Sequence, residues 1–337
     1  MRCYPRSLAL SLLLAAVSLP GARAGAQEPA LLHAIDLFER QEYREARRAL
    51  EELPEEAGRT GQALYYAGRL DLIDGHPHAA VESFEAAVDR DPGQSDYHHW
   101  LAMALMRRGA YRSFVGRMRD MMKAVGELKT SVGLDPRNLR PRMTLFQMMA
   151  RSYDRGGSNK EDLFEQVKSI AEIDSVMGHV ARGTLFLVVE KDVARAGREL
   201  ERSLDLAPGN RAAAVSYSDY LWECDRRDEA IEVLRSYVER KPEDKPARFN
   251  LGTRMIQSGT DLAGARVVFQ ECLALKSDTG MPSETMVRWC LGLACHLLGE
   301  EQAARREWST VYEMDEDFDH VLEQSPQLSE LAALISK

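Results

Sequence analysis

The stretch GQALYYAGRLDLIDGHPHAAVESFEAAVDRDPGQ, residues 61–94, decides the fold. Leu64, Ala67 and Gly68 share one helix, Gly75 supplies a turn, and Ala80, Phe84 and Ala87 mark a second helix. The small residues Gly68, Ala80 and Ala87 let the two helices approach closely, and Phe84 fills the gap between them. Asp91-Pro92 then stops the second helix, because proline has no backbone N–H and disfavours helical geometry in the residue before it.

The same frame recurs along the chain. It returns at 177–210 with Leu187, Ala196, Leu200 and Pro208, and at 211–244 with Leu221, Ala230, Leu234 and Pro242. From Lys245 it carries Leu251, Gly252, Gly259, Ala265 and Phe269, and from Thr285 it carries Leu291, Gly292, Gly299, Ala304, Trp308 and Val311. Near the start, Ala34, Phe38, Tyr43, Ala46 and Leu50 fit a first unit shortened at Pro54. In these positions the chain resembles the tetratricopeptide-repeat (TPR) family. The resemblance implies an all-α fold, a right-handed TPR superhelix (α-solenoid) of about eight helix pairs with a C-terminal capping helix. Composition agrees: 45% apolar and 29% charged residues are enough for a core, and only 7% are aromatic.

The chain is expected to divide into a signal peptide at 1–26, a solenoid at 27–325 and a capping helix at 326–337. Arg2 and Arg6 precede an uncharged run from Leu8 to Leu19, Pro20-Gly21 breaks it, and cleavage fits after Ala24 or Ala26. The run is short for a membrane span. Export to the periplasm or medium follows as an expectation. Without Arg2, Arg6 and Arg23 the mature chain has 41 basic and 53 acidic residues, a formal charge of −12. That acidity argues against nucleic acid as a partner.

Two departures from the period stand out. The unit that starts near Ser95 closes at Asp135-Pro136, ten residues late, which predicts an extended second helix at about 111–132. Phe114, Met118, Met121, Val125, Leu128 and Val132 follow one helical seam, read either as core or as the face of a projecting arm, while Gly116 and Gly126 weaken the helix. Thirteen basic residues against four acidic ones give 105–160 a charge of +9. Arg107, Arg108, Arg112, Arg117, Arg119 and Lys123 are the candidate basic binding segment. The second departure is Gly156-Gly157-Ser158, where Ser158 and Glu161 have the spacing of a capping box. With Leu134-Asp135-Pro136, Glu172-Ile173-Asp174 and Gly178-His179, this loop resembles a group of bacterial exported TPR proteins, which implies a cell-envelope location.

The concave-surface positions of the TPR frame predict an apolar groove. Its candidate partner-binding residues are Tyr65, Ile73, Met103, Met106, Val189, Trp222, Phe249, Trp289 and Leu293. No catalytic, metal-binding or cofactor motif is present, so no enzyme is expected. Cys272, Cys290 and Cys295 read as small buried thiols or, after export, as disulfide partners. The expected function is a non-enzymatic scaffold that binds a protein or peptide in the envelope through the groove and the basic segment. The alternative is a binding protein for an apolar small molecule or lipid, like a TPR component of a solute-uptake system. The oligomeric state is left open.

Overall fold

The computed structural model describes residues 20–335, so the apolar run read as a signal peptide lies outside the described residues. The described chain is helical, and its helices pair as antiparallel hairpins. The described chain divides into two compact units, one up to residue 59 and one from residue 60. In the first, α1 (Pro20–Glu39) packs on α2 (Tyr43–Glu51), followed by the short α3 (Glu55–Gly58). Ala34, Phe38 and Ala46 are buried there, and Phe38 meets the Tyr43 ring at 5.4 Å.

The second unit is a run of seven hairpins. These are α4 (Gly61–Ile73) with α5 (Pro77–Arg90), α6 (Ser95–Arg108) with α7 (Phe114–Leu134), and α8 (Leu139–Ser152) with α9 (Lys160–Ile173). Next come α10 (Ser175–Leu185) with α11 (Val193–Leu206), and α12 (Arg211–Glu223) with α13 (Arg227–Arg240). The last are α14 (Lys245–Ser258) with α15 (Leu262–Ala274) and α16 (Glu284–Leu297) with α17 (Glu301–Met314), and α18 (Phe318–Gln324) and α19 (Pro326–Ala332) follow. First helices also touch one another, α10 against α12, α12 against α14 and α14 against α16, forming an inner row.

One contact repeats through the hairpins and explains their spacing. A Cβ on Gly68 would lie 2.9 Å from the Phe84 ring, on Gly252 2.7 Å from Phe269, and on Gly292 2.5 Å from Trp308. At each, a glycine on the first helix seats a large side chain from the second. Helix starts are capped by Thr60, Ser113, Asn138, Asp174, Asn210 and Asp244, whose side chains accept from backbone N–H groups in the first turn.

The extended helix expected at about 111–132 is α7, which has 21 residues and runs unbroken through Gly116 and Gly126. Two features differ from the sequence expectation. The Ser158–Glu161 capping box does not form: Asn159 is the cap of α9, accepting from the Asp162 N–H at 2.7 Å, and Ser158 instead donates to the Met149 carbonyl at 2.7 Å. The left-handed turn at Gly156 (φ 73°) brings Ser158 back over the end of α8, where that carbonyl lacks a helical donor. Finally, α10 ends in a wide π turn, Phe186–Glu190, which leaves Leu187 only half-buried in place of the core position expected.

Candidate functional site

The predicted groove residues do not form one open surface. Phe249, Trp289 and Leu293 are 3%, 2% and 0% exposed, and Tyr65 is buried as well. The reason is geometric. Tyr65, Phe249 and Trp289 each precede a seating glycine, Gly68, Gly252 or Gly292, by three residues, so they share its inward face. Accordingly the Tyr65 ring lies edge-on to Phe84 at 6.0 Å and Phe249 to Phe269 at 5.8 Å, while Trp308 donates its indole N–H to the Trp289 carbonyl at 3.2 Å. Trp222 is half-buried beneath the guanidinium groups of Arg254 at 4.4 Å and Arg227 at 5.4 Å. Val189 lies in the π turn. Phe249, Trp289 and Leu293 meet inside one core cluster, whereas Met103 and Met106 line a common cavity, with Ile73 in the cleft beside it.

The inner surface is further covered by the chain itself. The connection between α15 and α16, residues 275–283, folds back onto α4 and α6. Arg69 donates to the Asp278 carbonyl at 3.0 Å, and Arg107 donates to the Leu72 carbonyl at 2.9 Å and to that of Thr279. Gly280, at φ 66°, approaches α4 so closely that a Cβ would lie 2.4 Å from the Leu72 oxygen. Beside it the Tyr111 hydroxyl donates to Asp315 at 3.3 Å. The helix α19 lies on α14: Gln327 donates to Thr253 at 2.7 Å, Gln257 donates to Glu330 at 3.1 Å, and Leu328 and Leu331 are buried. The C-terminal helix therefore covers an inner-row helix, which a simple end cap does not do.

The basic segment separates into two groups. Arg107 is turned into the closure, and burial pushes its guanidinium down to about 10. Arg108 holds the buried Asp120 through two bonds of 2.9 and 2.7 Å. Lys123 pairs with Glu85 at 2.5 Å. Arg112, Arg117 and Arg119 remain at the surface, Arg112 3.9 Å from Asp120 and Arg117 over the Phe114 ring at 5.8 Å.

Between these cations lies an exposed apolar stripe. Phe114, Val115 and Met122 are 69%, 67% and 72% exposed, with Met118 and Met121 beside them. The cause is an offset between two helices of unequal length. Antiparallel packing matches Arg108 to Asp120, His98 to Glu127 and Ser95 to Ser131, so the 14 residues of α6 are used up by the later turns of α7. The first turn of α7 runs past the end of its partner. Of the six seam residues, expected either as core or as the face of an arm, only Leu128 is fully buried. Ala124, off that seam, is the other apolar anchor.

The four cysteines of the described chain are free. Burial raises the thiols of Cys272, to about 11, and of Cys290 and Cys295. Cys272 donates to the Lys245 carbonyl at 3.6 Å.

Comparison with known proteins bears on the repeat alone. The tetratricopeptide repeat family model matches residues 67–113. No curated protein matches the chain. Among solved structures, the thermophilic TPR protein TTC0263 of Thermus thermophilus is 17% identical, with 68% of this chain and 98% of that one covered at a TM-score of 0.41. YrrB, described as a TPR protein with an unusual peptide-binding site, is 15% identical over 58% of this chain and 96% of its own, at 0.38. MamA of Desulfovibrio magneticus RS-1 is 19% identical over 53% and 97%, also at 0.38. The chain thus carries a tetratricopeptide repeat at 67–113, and the hairpins around it make an all-α TPR solenoid.

Proposed function

We propose that this chain is a non-enzymatic scaffold for protein–protein interaction in the bacterial cell envelope, and that its docking surface is the first half of α7. The observation that carries the reading is the cluster of five exposed large apolar side chains within 114–122. A patch of that kind on a soluble fold marks an interaction surface. Its chemistry defines the partner. Three methionines adapt to varied apolar shapes. Arg112, Arg117 and Arg119 rim the patch, and the one carboxylate in the segment, Asp120, faces inward to Arg108. The partner is therefore a protein segment with an apolar face and acidic flanks. The tetratricopeptide match supports the scaffold class. The leader-like start of the sequence supports the envelope location.

The test is photo-crosslinking in envelope extracts from residues 115 and 122, with residue 193 as a distant exposed control. A specific adduct is expected at 115 and 122 only. It should vanish in a Phe114→Ser, Met118→Ser, Met122→Ser triple variant and weaken several-fold in Arg117→Glu, Arg119→Glu or in high salt. An adduct that survives the triple variant sinks the proposed surface. Binding to phosphatidylglycerol vesicles with no protein adduct would replace the protein partner by a lipid surface.

A further inference from the structure

A second site lies at the closure of the solenoid, away from the patch on α7. Where residues 275–283 fold onto α4 and α6, a cavity of about 450 Å³ remains. Its size is in the range of small-molecule sites. Four methionines, Met103, Met106, Met281 and Met286, with Leu72 and Val321, form its apolar wall. Two cations line it, Arg107 and Arg151, and no aspartate or glutamate does.

The missing carboxylate matters at Arg107, the more withdrawn of the two. A cation withdrawn from water is normally matched by a carboxylate, because an unmatched charge in an apolar setting is costly. Arg107 is withdrawn in this way and has only two carbonyl oxygens, those of Leu72 and Thr279, as acceptors. Neither Arg107 nor Arg151 forms an ion pair among the described residues. The acidic groups nearby lie in a separate cleft. Asp74, Glu284 and Asp315 line it, and Tyr111, Gly75 and Ser283 border both spaces. A negative head group would be repelled by that cleft and drawn toward the arginines.

We infer that this cavity is a binding site for an amphipathic anion, a single apolar chain ending in a carboxylate or phosphate. The apolar body lies among the methionines, whose flexible thioethers accommodate chains of different shape. The head group lies between Arg107 and Arg151. Occupancy would also reinforce the closure, since Arg107 holds the Leu72 and Thr279 carbonyls together and an anion supplies the missing charge.

The probes are dodecanoate, dodecyl phosphate and dodecanol, titrated below their aggregation limits into the full chain by equilibrium dialysis. One equivalent of at least one anion should bind, roughly tenfold or more tighter than the alcohol, as expected for charge-assisted hydrogen bonds. The tighter of the two anions then identifies the head group. Arg151→Gln, at an exposed guanidinium that the fold does not use, should weaken the anion about tenfold and leave dodecanol unchanged. Met103→Trp should fill the cavity and abolish binding in a protein whose helical signal is unchanged. Equal affinity for alcohol and anion, no saturable binding of either anion, or unaltered binding in a folded Met103→Trp variant would each overturn the inference. Arg107→Gln is the less useful variant because it also breaks the closure.

Discussion

His99 shows how a single buried side chain couples this fold to pH. It lies on α6, edge-on to Trp100 at 5.7 Å, and its buried Nδ1 has no hydrogen-bond partner. Burial lowers its pKa to about 4, with Arg140 and Arg69 acting in the same direction and Asp96 against them. The folded-state value is thus below the ordinary 6.5, so between those limits the unfolded chain takes up a proton that the folded chain refuses. Stability is full above pH 6.5 and falls as the pH drops toward 4, by about 2 kcal/mol at pH 5. Urea unfolding at pH 7 and pH 5 should show that loss in the native chain and a much smaller one in His99→Gln. Parallel pH dependence in the two proteins would remove His99 as the cause. Glycines give a second test at this scale, because their surroundings predict opposite signs. Gly252→Ala would press a methyl group into the Phe269 ring and should cost about 1–3 kcal/mol. Gly126→Ala, with open space around it in the middle of α7, should stabilise by about 1 kcal/mol. Thermal unfolding of the two variants measures both.

At the scale of elements, α7 is where the sequence was informative and incomplete. Its length was legible, because Asp135-Pro136 arrives ten residues late. Which face it buries was not. The seam chosen by apolarity places Phe114 and Met118 with Leu128, whereas the buried face is set by polar matches to α6, the Arg108–Asp120 pair and the reciprocal Ser95–Ser131 bonds. Apolar periodicity cannot report an anchor made of an aspartate. The same blindness affected the groove: generic frame positions placed Phe249 and Trp289 on an open surface, although their spacing of three from Gly252 and Gly292 put them in the core. The anchor predicts its own test. Asp120→Ala leaves the Arg108 guanidinium partly buried without its partner and should cost about 3 kcal/mol in urea unfolding. Phe114→Ser, by contrast, removes a side chain that is already in water, and the folded state should lose almost nothing. If Phe114→Ser were the more damaging of the two, α7 would be held by its apolar stripe and the proposed docking surface would be core.

At the scale of the molecule, the second unit departs from what a repeat protein usually is. A solenoid is stabilised by contacts between neighbours, so its ends are independent and unfolding can proceed piecewise. Here residues 275–283 tie hairpins far apart in sequence, Arg69 to Asp278 and Arg107 to Thr279 spanning 209 and 172 positions, and beside them Tyr111 reaches Asp315 across 204. Such contacts leave no periodic trace, which is why the hairpins could be read from the sequence and their closure could not. The local signal was a run of turn-forming residues, Ser277-Asp278-Thr279-Gly280, where other hairpins have a short link such as Lys241–Asp244. Gly280 is the point at which the closure is most exposed to test, because its positive φ and its approach to the Leu72 oxygen both exclude a side chain. Gly280→Ala should therefore detach 275–283 from α4 without touching any hairpin core. Hydrogen exchange should then rise together in 275–283 and in the last turns of α4 and α6, while α12 and α13 keep their protection. Thermal unfolding should pass from one transition to two as the ends of the unit lose their mutual support. A rise confined to 275–283, with a single transition retained, would mean that the loop merely rests on the inner row, and that the order of the cavity between Arg107 and Arg151 comes from the hairpins alone.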